Sequence, residues 1–509
     1  MRRLLIANRG EIAVRIIRAC REAGISPVAV YSEADKDALH VALADTAYPI
    51  GPAPASESYL NIGNLLDAAK RANADALHPG YGFLSENAHF AQTCAEAGIT
   101  FVGPSAEVIR KLGDKIAAKR RMEAAGVPVV PGYNGDDLSA KRLQKEAKQI
   151  GTPLLIKAAA GGGGRGMRVV QEAGEFLGLL DEARREAQSA FGDDRVLLER
   201  YIARPRHIEF QVFGDTYGNV VHLFERECSI QRRHQKIMEE SPSPLLTPEL
   251  REQMAEAAVK AGQAAGYVNA GTVEFLVETP SDGKPPRFYF LEVNTRLQVE
   301  HPVTEMLTGL DLVKLQFRVA DGEPLPFTQS QIVASGQVME VRIYAEDAGA
   351  GFLPSVGKLL QWREPCGPGV RIDSGVVQGG EVSPYYDPML AKLIVRGTDR
   401  LETLTRMEQA LLNFTVLGVQ TNIPYLLAIL RHPEFRLGNL STRFLTEHFA
   451  HWKPEKTLPN EVLLALAGER LTVRELPSKV SLPSSAQDVS HPWRVGGGWR
   501  NTTERENSR

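Results

Sequence analysis

Residues 154–170 read LLIKAAAGGGGRGMRVV. Two apolar segments flank a run of glycines, which predicts a β-hairpin with a mobile tip. Glycine has no Cβ, so successive backbone N–H groups in such a tip can converge closely on an anion. Lys157, at the end of the first segment, adds a point charge suited to phosphate. Glycine runs are common, so a flexible hairpin without a ligand is the alternative.

A second polar motif follows an aromatic run, in residues 288–301, which read FYFLEVNTRLQVEH. Read with a period of two, its polar side chains fall on one face if the strand stays extended; they are Glu292, Asn294, Arg296, Gln298 and Glu300. Carboxylate and amide oxygens suit Mg²⁺, arginine can hold a small anion, and a terminal glutamate can act as a general base. The alternative is a solvated strand face with paired charges, although such faces rarely adjoin aromatic runs.

Two further strands carry isolated polar groups. In residues 271–277, GTVEFLV, Glu274 is the one carboxylate in an apolar run, and an unpaired buried carboxylate is costly. A divalent metal shared with Glu292 would satisfy it. In residues 205–212, PRHIEFQV, the side chains of His207, Glu209 and Gln211 share a face.

Residues 229–236, SIQRRHQK, form a dense basic cluster. A solvated loop and a nucleic-acid patch are the alternatives to an anionic-substrate site. The chain is nearly neutral and the cluster has no interleaved aromatics, so nucleic acid is disfavoured and an anionic small molecule is favoured.

The first hundred residues alternate strand and helix patterns, which predicts a parallel sheet covered on both faces. The turn after the first strand reads NRGEIA and lacks G-x-G-x-x-G, so a dinucleotide site is disfavoured. Pro128, Pro131 and Gly132 suggest a boundary into a second unit, and the compact part is expected to close near Phe449.

Composition excludes several classes of protein. The chain has 509 residues, of which 43% are hydrophobic and 24% charged, with a net charge of −3. These values are typical of a soluble protein of three or four domains and argue against a general nucleic-acid or membrane-surface binder. Its four cysteines lie far apart with no C-x-x-C pair, which fits a reducing cytosol. The sequence predicts no signal peptide and no membrane span, so we expect a cytoplasmic protein.

Several long motifs, in order, resemble biotin carboxylase, the ATP-grasp component of biotin-dependent carboxylases. They are MRRLLIANRGEIA (1–13), HPGYGFLSEN (78–87), the glycine run 161–167, CSIQRRHQK (228–236) and EVNTRLQVEHPVTE (292–305). The resemblance covers roughly the first 450 residues. It implies an α/β fold with an N-terminal parallel α/β (pre-ATP-grasp) domain in residues 1–113. It also implies an ATP-grasp domain in 114–330, with a mobile glycine-rich lid at about 131–203, a C-terminal mixed α+β domain in 331–449, and a tail in 450–509.

The resemblance also implies a mechanism, in which ATP phosphorylates bicarbonate to carboxyphosphate and the released CO₂ carboxylates the ureido nitrogen of biotin. The residues that would contact ATP are Lys115, Lys157, Gly163, Gly164, His207, Gln231 and His234, with Glu199, Arg200, Tyr201 and Ile202 meeting the adenine largely through backbone. Two Mg²⁺ ions, for which Mn²⁺ could substitute, would be held by Glu274, Glu292 and Asn294. Bicarbonate would be positioned by Lys236, Arg296, Gln298 and Val299. Glu300 would remove its proton, and Arg342 would stabilise the developing enolate of biotin.

The chain has no Ala-Met-Lys-Met segment to carry biotin. We therefore expect a biotin carboxyl carrier protein and a carboxyltransferase on separate chains. The resemblance also implies a homodimer. The final acceptor would be acetyl-CoA or propionyl-CoA, which suggests a role in fatty acid biosynthesis.

Two other functions are alternatives to this one. A ligase that activates a different carboxylate for attack by an amine is disfavoured by the basic cluster 229–236 and by Arg342. A nucleotide-binding regulatory subunit would normally have lost a metal ligand or the base, and here Glu274, Glu292 and Glu300 are all present.

Three of the four tryptophans, Trp452, Trp493 and Trp499, follow residue 450. Residues 461–467 predict a short helix with Asn460 as its N-cap. Tryptophan is favoured at docking surfaces, which predicts a partner-docking tail. Packing of these side chains on the chain's own surface is an equal alternative.

Overall fold

Alternating apolar strands and amphipathic helices build the first part of the chain as a parallel sheet, as predicted. The computed structural model describes residues 1–161, 166–280 and 284–454, together with Leu464 and Gly468. The first sheet has the order β3-β2-β1-β4-β5, and each of its strand pairs is parallel. Leu4, Leu5 and Ile6 of the central strand are all fully buried, so both faces of the sheet are covered.

The elements of this first part are β1 (Arg3–Ile6), α1 (Gly10–Glu22), β2 (Ser26–Tyr31), α2 (Leu39–Leu43), β3 (Thr46–Pro49), α3 (Ile62–Arg71), β4 (Ala76–His78), α4 (Ala88–Glu96), β5 (Thr100–Phe101) and α5 (Ala106–Gly113).

The middle of the chain supplies two antiparallel sheets. Its elements are α6 (Lys115–Ala124), β6 (Gly132–Tyr133), α7 (Ala140–Ile150), β7 (Leu154–Ala158), β8 (Met167–Val170), α8 (Phe176–Phe191), β9 (Val196–Arg200), β10 (Arg206–Gly214), β11 (Val220–Arg232), β12 (Gln235–Ser241), α9 (Pro248–Ala265), β13 (Asn269–Glu278), β14 (Arg287–Asn294), α10 (His301–Thr308) and α11 (Leu312–Ala320). The predicted glycine hairpin is confirmed, because β7 and β8 pair antiparallel from Leu154 with Val170 to Lys157 with Met167. It belongs to a four-stranded sheet of order β6-β9-β7-β8. Gly163 and Gly164 lie outside the described residues.

The last part of the chain extends the larger sheet. Its elements are β15 (Gln337–Tyr344), β16 (Glu346–Asp347), β17 (Leu353–Pro354), β18 (Gly357–Lys358), β19 (Gln361–Arg363), β20 (Val370–Ser374), β21 (Glu381–Val382), β22 (Met389–Gly397), α12 (Arg400–Leu412), β23 (Thr415–Leu417), α13 (Ile423–Arg431), α14 (Pro433–Arg436) and α15 (Phe444–His448). The eight-stranded sheet has the order β14-β13-β10-β11-β12-β15-β22-β20. Pairing of β12 with β15 therefore joins strands from the middle and the last part of the chain in one sheet.

One prediction about local structure is wrong. Residues 292–300 do not form a single extended face, because β14 ends at Asn294. Glu300 has φ −81° and ψ 14° and stands directly before α10, whose first turn contains Pro302. Proline is favoured in the first turn of a helix, so the chain must leave the strand before this point.

Residues Met1–Pro454 form one compact unit. Trp452 packs against Tyr425, with ring centroids 5.0 Å apart, so this tryptophan covers the chain's own core. Trp493, Trp499 and the proposed cap Asn460 lie outside the described residues, and of residues 461–467 only Leu464, which is helical, is described. Within the described ranges, no helix has the length and apolar character needed to cross a membrane.

The first and last parts of the chain meet at a close backbone contact. A Cβ placed on Gly375, which follows β20, would lie 2.4 Å from the backbone nitrogen of Glu11 in α1. This distance is shorter than any ordinary contact, so only glycine fits here without a backbone shift.

We expect Gly375→Ala to lower the free energy of unfolding by about 1–3 kcal/mol, the usual cost of forcing extra volume into a packed contact. The control is Gly178→Ala in α8, where an added Cβ meets nothing within 4 Å. That change should stabilise by about 0.5–1 kcal/mol through helix propensity. Thermal and denaturant unfolding of both variants measure this, and equal effects would contradict the close contact.

Candidate active site

A single buried ammonium group organises the centre of the large sheet. Lys236 Nζ donates hydrogen bonds to Glu274 Oε1 at 2.9 Å, to Glu300 Oε1 at 2.7 Å, and to Glu209. The side chains of Glu209 and Glu300 are fully buried. Lys236 therefore holds together carboxylates from two strands and from the turn before α10.

Strand register explains why these groups meet. Glu209 of β10 pairs directly with Glu274 of β13. This pairing agrees with the prediction that His207, Glu209 and Gln211 share one face of their strand. Lys236 follows a two-residue hairpin turn, Arg233-His234, in which both residues have positive φ (50° and 66°). Positive φ at both positions is the geometry of tight hairpin turns, so the basic cluster is a hairpin and not a loop.

A second buried cation supports the first. Arg226 of β11 is fully buried, and its Nε donates to Glu209 Oε1 at 2.7 Å. Its Nη1 donates to Gln211 Oε1 at 2.9 Å and to Thr304 Oγ1 at 2.8 Å. Glu209 thus lies between two cations, which offsets the cost of burying its charge.

Within the cluster, the pKa values of Glu300 and Glu274 are lowered, whereas the pKa of Glu209 is raised. Burial opposes ionisation of Glu300, but Lys236, Arg342 and Arg226 hold the pKa of its carboxyl well below the usual range. Burial likewise opposes ionisation of Glu274, whose pKa is lowered by Lys236 and His207. Burial, with the charges of Glu300 and Glu274, raises the pKa of Glu209. Glu300 is therefore an ionised carboxylate in a water-poor site.

Arg342 of β15 approaches Glu300 from the other side. Its Nη2 lies 3.0 Å from Glu300 Oε2, and its Nε donates to Glu239 Oε1 at 2.8 Å. Burial, with the nearby charge of Glu300, raises the pKa of Glu239 to about 7 against the pull of Arg342. Each carboxylate oxygen of Glu300 thus contacts one cation: Lys236 contacts Oε1 and Arg342 contacts Oε2.

Arg296 lies beside the cluster and is linked to it through Asn294 and Gln298, whose amides both donate to Glu274. It donates through Nε to Glu86 Oε2 at 2.8 Å and through Nη1 to Gln298 Oε1 at 2.8 Å. Glu86 also accepts a hydrogen bond from the backbone N–H of Thr295 at 3.0 Å. The carbonyl oxygen of Val299 accepts a hydrogen bond from Lys392 at 2.8 Å.

The predicted metal ligands lie together. Glu274 and Glu292 are directly opposed on β13 and β14, and Asn294 Nδ2 donates to Glu274 Oε1 at 2.8 Å. Lys115 Nζ is 3.7 Å from Glu292 Oε2. Two carboxylates and an amide form a hard oxygen donor set that fits Mg²⁺, provided that the Asn294 amide rotates to present its oxygen.

Two lysines meet under the glycine hairpin. Lys157 Nζ lies 3.2 Å from Glu199 Oε2, and Lys119 Nζ donates to Glu199 Oε1 at 3.1 Å. All three side chains are buried. Burial opposes ionisation of Glu199, yet the two lysines hold its pKa below the usual range.

The segment predicted to meet adenine, residues 199–202, begins in the last two residues of β9. The backbone N–H groups of Arg200 and Tyr201 already donate to Pro131 and Pro153, at 2.8 and 3.2 Å. The Arg200 side chain forms a bidentate pair with Glu278, with both distances 2.8 Å. Ile202 is buried, so its side chain offers an apolar contact.

Three polar residues near the hairpin turn are predicted to contact ATP; they are His207, Gln231 and His234. His207 Nε2 lies 3.0 Å from Glu274 Oε2, and its Nδ1 lies 2.5 Å from Gln231 Nε2. Burial lowers the pKa of His207, but Glu274 outweighs it and raises the pKa. Partial burial lowers the pKa of His234, as do the charges of His207 and Lys157. His234 therefore lies within electrostatic range of both the sheet and the glycine hairpin.

The structure brings most of the predicted site residues together, and it adds neighbours to which the sequence analysis gave no role. These neighbours are Glu86, Lys119, Glu209, Arg226, Glu239 and Lys392. Glu86 and Glu209 lie in motifs that had been singled out, so a signal existed for them. Lys392 is a charged residue within an apolar strand, the same signal that identified Glu274. The strand of Glu239 reads QKIMEES and gives no such signal.

Comparison with known families agrees with this geometry. Residues 1–109 match the family described as biotin carboxylase, N-terminal domain, and residues 340–447 match the biotin carboxylase C-terminal domain. Residues 114–328 match the family described as carbamoyl-phosphate synthase L chain, ATP binding domain.

Individual proteins match along most of the chain. It is 54% identical over 447 residues to methylcrotonoyl-CoA carboxylase subunit alpha, mitochondrial, of Arabidopsis thaliana, covering 88% of the chain but only 60% of that relative. It is 52% identical over 445 residues to Biotin carboxylase 1 of Bacillus subtilis, covering 87% of the chain and 98% of that protein. A solved structure from Hydrogenobacter thermophilus, the biotin carboxylase domain dimer of 2-oxoglutarate carboxylase with MgADP, ADP and bicarbonate, has a TM-score of 0.83 and 49% identity, covering 88% and 97% of the two chains.

The raised pKa of Glu239 makes stability depend on pH. A carboxyl whose folded pKa of about 7 exceeds its ordinary value of 4.5 stabilises the fold at low pH, and this contribution is lost as the pH rises through 7. Glu239→Gln cannot ionise, so its stability relative to the wild type should rise by about 1 kcal/mol between pH 6 and pH 8. Denaturant unfolding at both pH values measures the difference.

Glu278→Gln is the control for this measurement. Arg200 lowers the pKa of the Glu278 carboxyl, which therefore stays ionised across the same range, and Glu278 does not belong to the cluster around Glu239. Its stability difference from the wild type should be the same at pH 6 and pH 8. Equal pH dependence in the two variants would show that Glu239 is ionised throughout.

Proposed function

The chain belongs to the biotin carboxylase family of ATP-grasp ligases, and we propose that it uses ATP and bicarbonate to carboxylate biotin. The observation that carries this proposal is the arrangement of Glu300, a fully buried ionised carboxylate held between Lys236 and Arg342. A protein that only bound a nucleotide would have no use for a buried base among cations. Here the base stands where an anionic substrate would find positive charge.

We assign ATP to the space between the glycine hairpin and the large sheet. Lys157 and Lys119 supply charge for phosphate groups, with Lys115, His207, Gln231 and His234 toward the sheet. Gly163 and Gly164 complete this set as an expectation from sequence, and residues 199–202 would border the adenine. Carboxyphosphate is short-lived in water, and closure of the hairpin would exclude water from it.

Glu274, Glu292 and Asn294 would hold two Mg²⁺ ions, for which Mn²⁺ could substitute. When bound, the metal neutralises phosphate charge and aligns the transferred group. Lys236 fills the space among Glu209, Glu274 and Glu300, and Glu292 is the cross-strand neighbour that would hold the metal together with Glu274. The Hydrogenobacter thermophilus relative, solved with MgADP, supports the choice of metal.

Bicarbonate would lie against Lys236, Arg296, Gln298 and Val299, where Glu300 can take its proton. Glu300 with a low pKa is a weak base, but an anion that shares Lys236 and Arg342 raises that pKa by adding negative charge. The base would therefore strengthen as its substrate binds. The same relative was solved with bicarbonate.

Arg342 would then stabilise the enolate that forms on biotin when the phosphate released from carboxyphosphate takes the proton of its ureido nitrogen. That nitrogen would then attack CO₂. Its guanidinium has donors to spare beyond Glu239 and Glu300, since a guanidinium has five N–H groups. A fixed cation is the usual means of stabilising charge that develops in a transition state.

We further propose a division into domains at 1–113, 114–330 and 331–449, a homodimer, and a biotin carboxyl carrier protein and a carboxyltransferase as partners. The matched segments and the dimer named for the Hydrogenobacter relative support this assembly. For the acceptor we propose an acyl-CoA, either acetyl-CoA or propionyl-CoA. Purifying the native complex and assaying it with these and with methylcrotonoyl-CoA identifies the acceptor.

With free biotin, bicarbonate and Mg²⁺, the chain should hydrolyse ATP and fix labelled bicarbonate into carboxybiotin. The reason is that base, cations and metal ligands are all present in one site. ATP turnover and label incorporation measure the two products together. ATP hydrolysis that ignores both biotin and bicarbonate would contradict the proposal.

Two isosteric variants separate the base from the metal site. Glu300→Gln should lower kcat by about 10²–10⁴-fold, the usual loss for a general base, with KM for ATP nearly unchanged. Glu292→Gln removes a metal ligand and should mainly raise KM for MgATP. Steady-state kinetics with a circular dichroism check of folding distinguishes the two, and a raised KM with normal kcat in both would show that the base is misassigned.

A further inference from the structure

Lys392 is a buried cation whose contact with the proposed bicarbonate residues is made to the backbone oxygen of Val299. It lies in β22 and is fully buried. Its ammonium donates to the backbone oxygen of Val299 at 2.8 Å and lies 3.1 Å from Glu11 Oε1 and 3.9 Å from Asp373 Oδ2. A buried ammonium is costly, so a hydrogen bond to a turn carbonyl needs an explanation.

The strand register gives that explanation. Lys392 of β22 is the direct cross-strand partner of Arg342 in β15. Arg342 donates a hydrogen bond to the carboxylate of Glu300 at 3.0 Å. Lys392 donates to the carbonyl oxygen of Val299, the residue just before Glu300. One pair of opposed residues thus fixes both the backbone and the side chain of the turn that presents the base.

The far side of Lys392 is fixed by the first part of the chain. Glu11 of α1 receives the Lys392 ammonium and also accepts a hydrogen bond from the hydroxyl of Tyr81. The backbone at Glu11 is itself packed against Gly375. Helix α1, the 80–82 turn and β22 therefore set where the ammonium points.

We propose that Lys392 is a positioning residue that holds Glu300 in register for proton removal, acting through the Val299 carbonyl. The inference rests on the proposed function, because it requires Glu300 to be the base. Lys392 itself touches no reacting atom. Its removal frees the turn at Val299 and displaces Glu300 from the place set by Lys236 and Arg342.

The test compares Lys392→Met with Lys392→Arg in the full chain, using biotin-dependent ATP turnover. A misplacement of about 1 Å at a reacting group costs about 10²-fold, so Lys392→Met should lower kcat by about that factor and leave KM for ATP within twofold. Lys392→Arg keeps a donor for the Val299 carbonyl and should recover at least tenfold of the loss. A purely structural role would move kcat and KM for ATP together and would give no such recovery.

Arg400→Met is the matched control. Arg400 also donates to a buried carboxylate, Glu240 at 2.7 Å, and to a backbone oxygen, Phe435 at 2.9 Å, but touches no part of the turn. Its kcat should stay near the wild-type value although a buried carboxylate loses its cation. An equal loss of kcat in Arg400→Met would overturn the positioning role.

Glu11→Gln/Lys392→Met covers the case in which the single methionine variant does not fold, since it removes the unpaired carboxylate as well. If it folds, the same loss of kcat is expected, and normal kcat overturns the proposal. If neither methionine variant folds, Lys392 serves folding and the proposal is overturned. Failure of wild-type turnover with biotin and bicarbonate would instead refute the proposed function.

Discussion

The ion cluster around Lys236 is the constraint on which the site depends. Its ammonium serves Glu209, Glu274 and Glu300, which come from β10, β13 and the turn before α10. Buried charges are tolerated only when each is paired and hydrogen-bonded, and removing one partner leaves the others uncompensated at a cost of about 3–5 kcal/mol. The register of the sheet and the turn at Glu300 must therefore form together, because neither satisfies its charges without the other.

The continuity of the large sheet makes this arrangement possible. β12 carries Lys236 and pairs with β15, which carries Arg342, so both cations reach Glu300 from neighbouring strands. β22 then adds Lys392 beside Arg342. Sequence boundaries near residue 330 suggest separate domains, whereas the hydrogen-bonded sheet runs across that point. The chemistry thus depends on pairing between strands about a hundred residues apart in the chain.

Much of this could be read from the sequence, and the failures have physical causes. Alternation in β10 and the lone carboxylate in β13 placed His207 and Glu274 correctly, because period two is reliable inside a regular strand. The period-two prediction is wrong beyond Asn294, where the strand ends. Pro302 indicates this end in the sequence, because proline is favoured in the first turn of a helix. Glu239 and Lys392 escaped because a charged residue in a strand looks like a solvated one until its cross-strand partners are known.

The cations of the site are already compensated by the protein's own carboxylates. Lys236 and Arg342 share Glu300, and Arg296 is paired with Glu86. An incoming anion is therefore attracted only by cations that it shares with these carboxylates. Each interaction that such a cation makes with the anion in place of Glu300 weakens the interactions that keep the pKa of Glu300 low. Because burial opposes the charged form of this carboxylate, its basicity rises as those interactions weaken. If Glu300 acts as the proposed base, the same cluster that stabilises the fold would make proton removal strongest when the substrate is present.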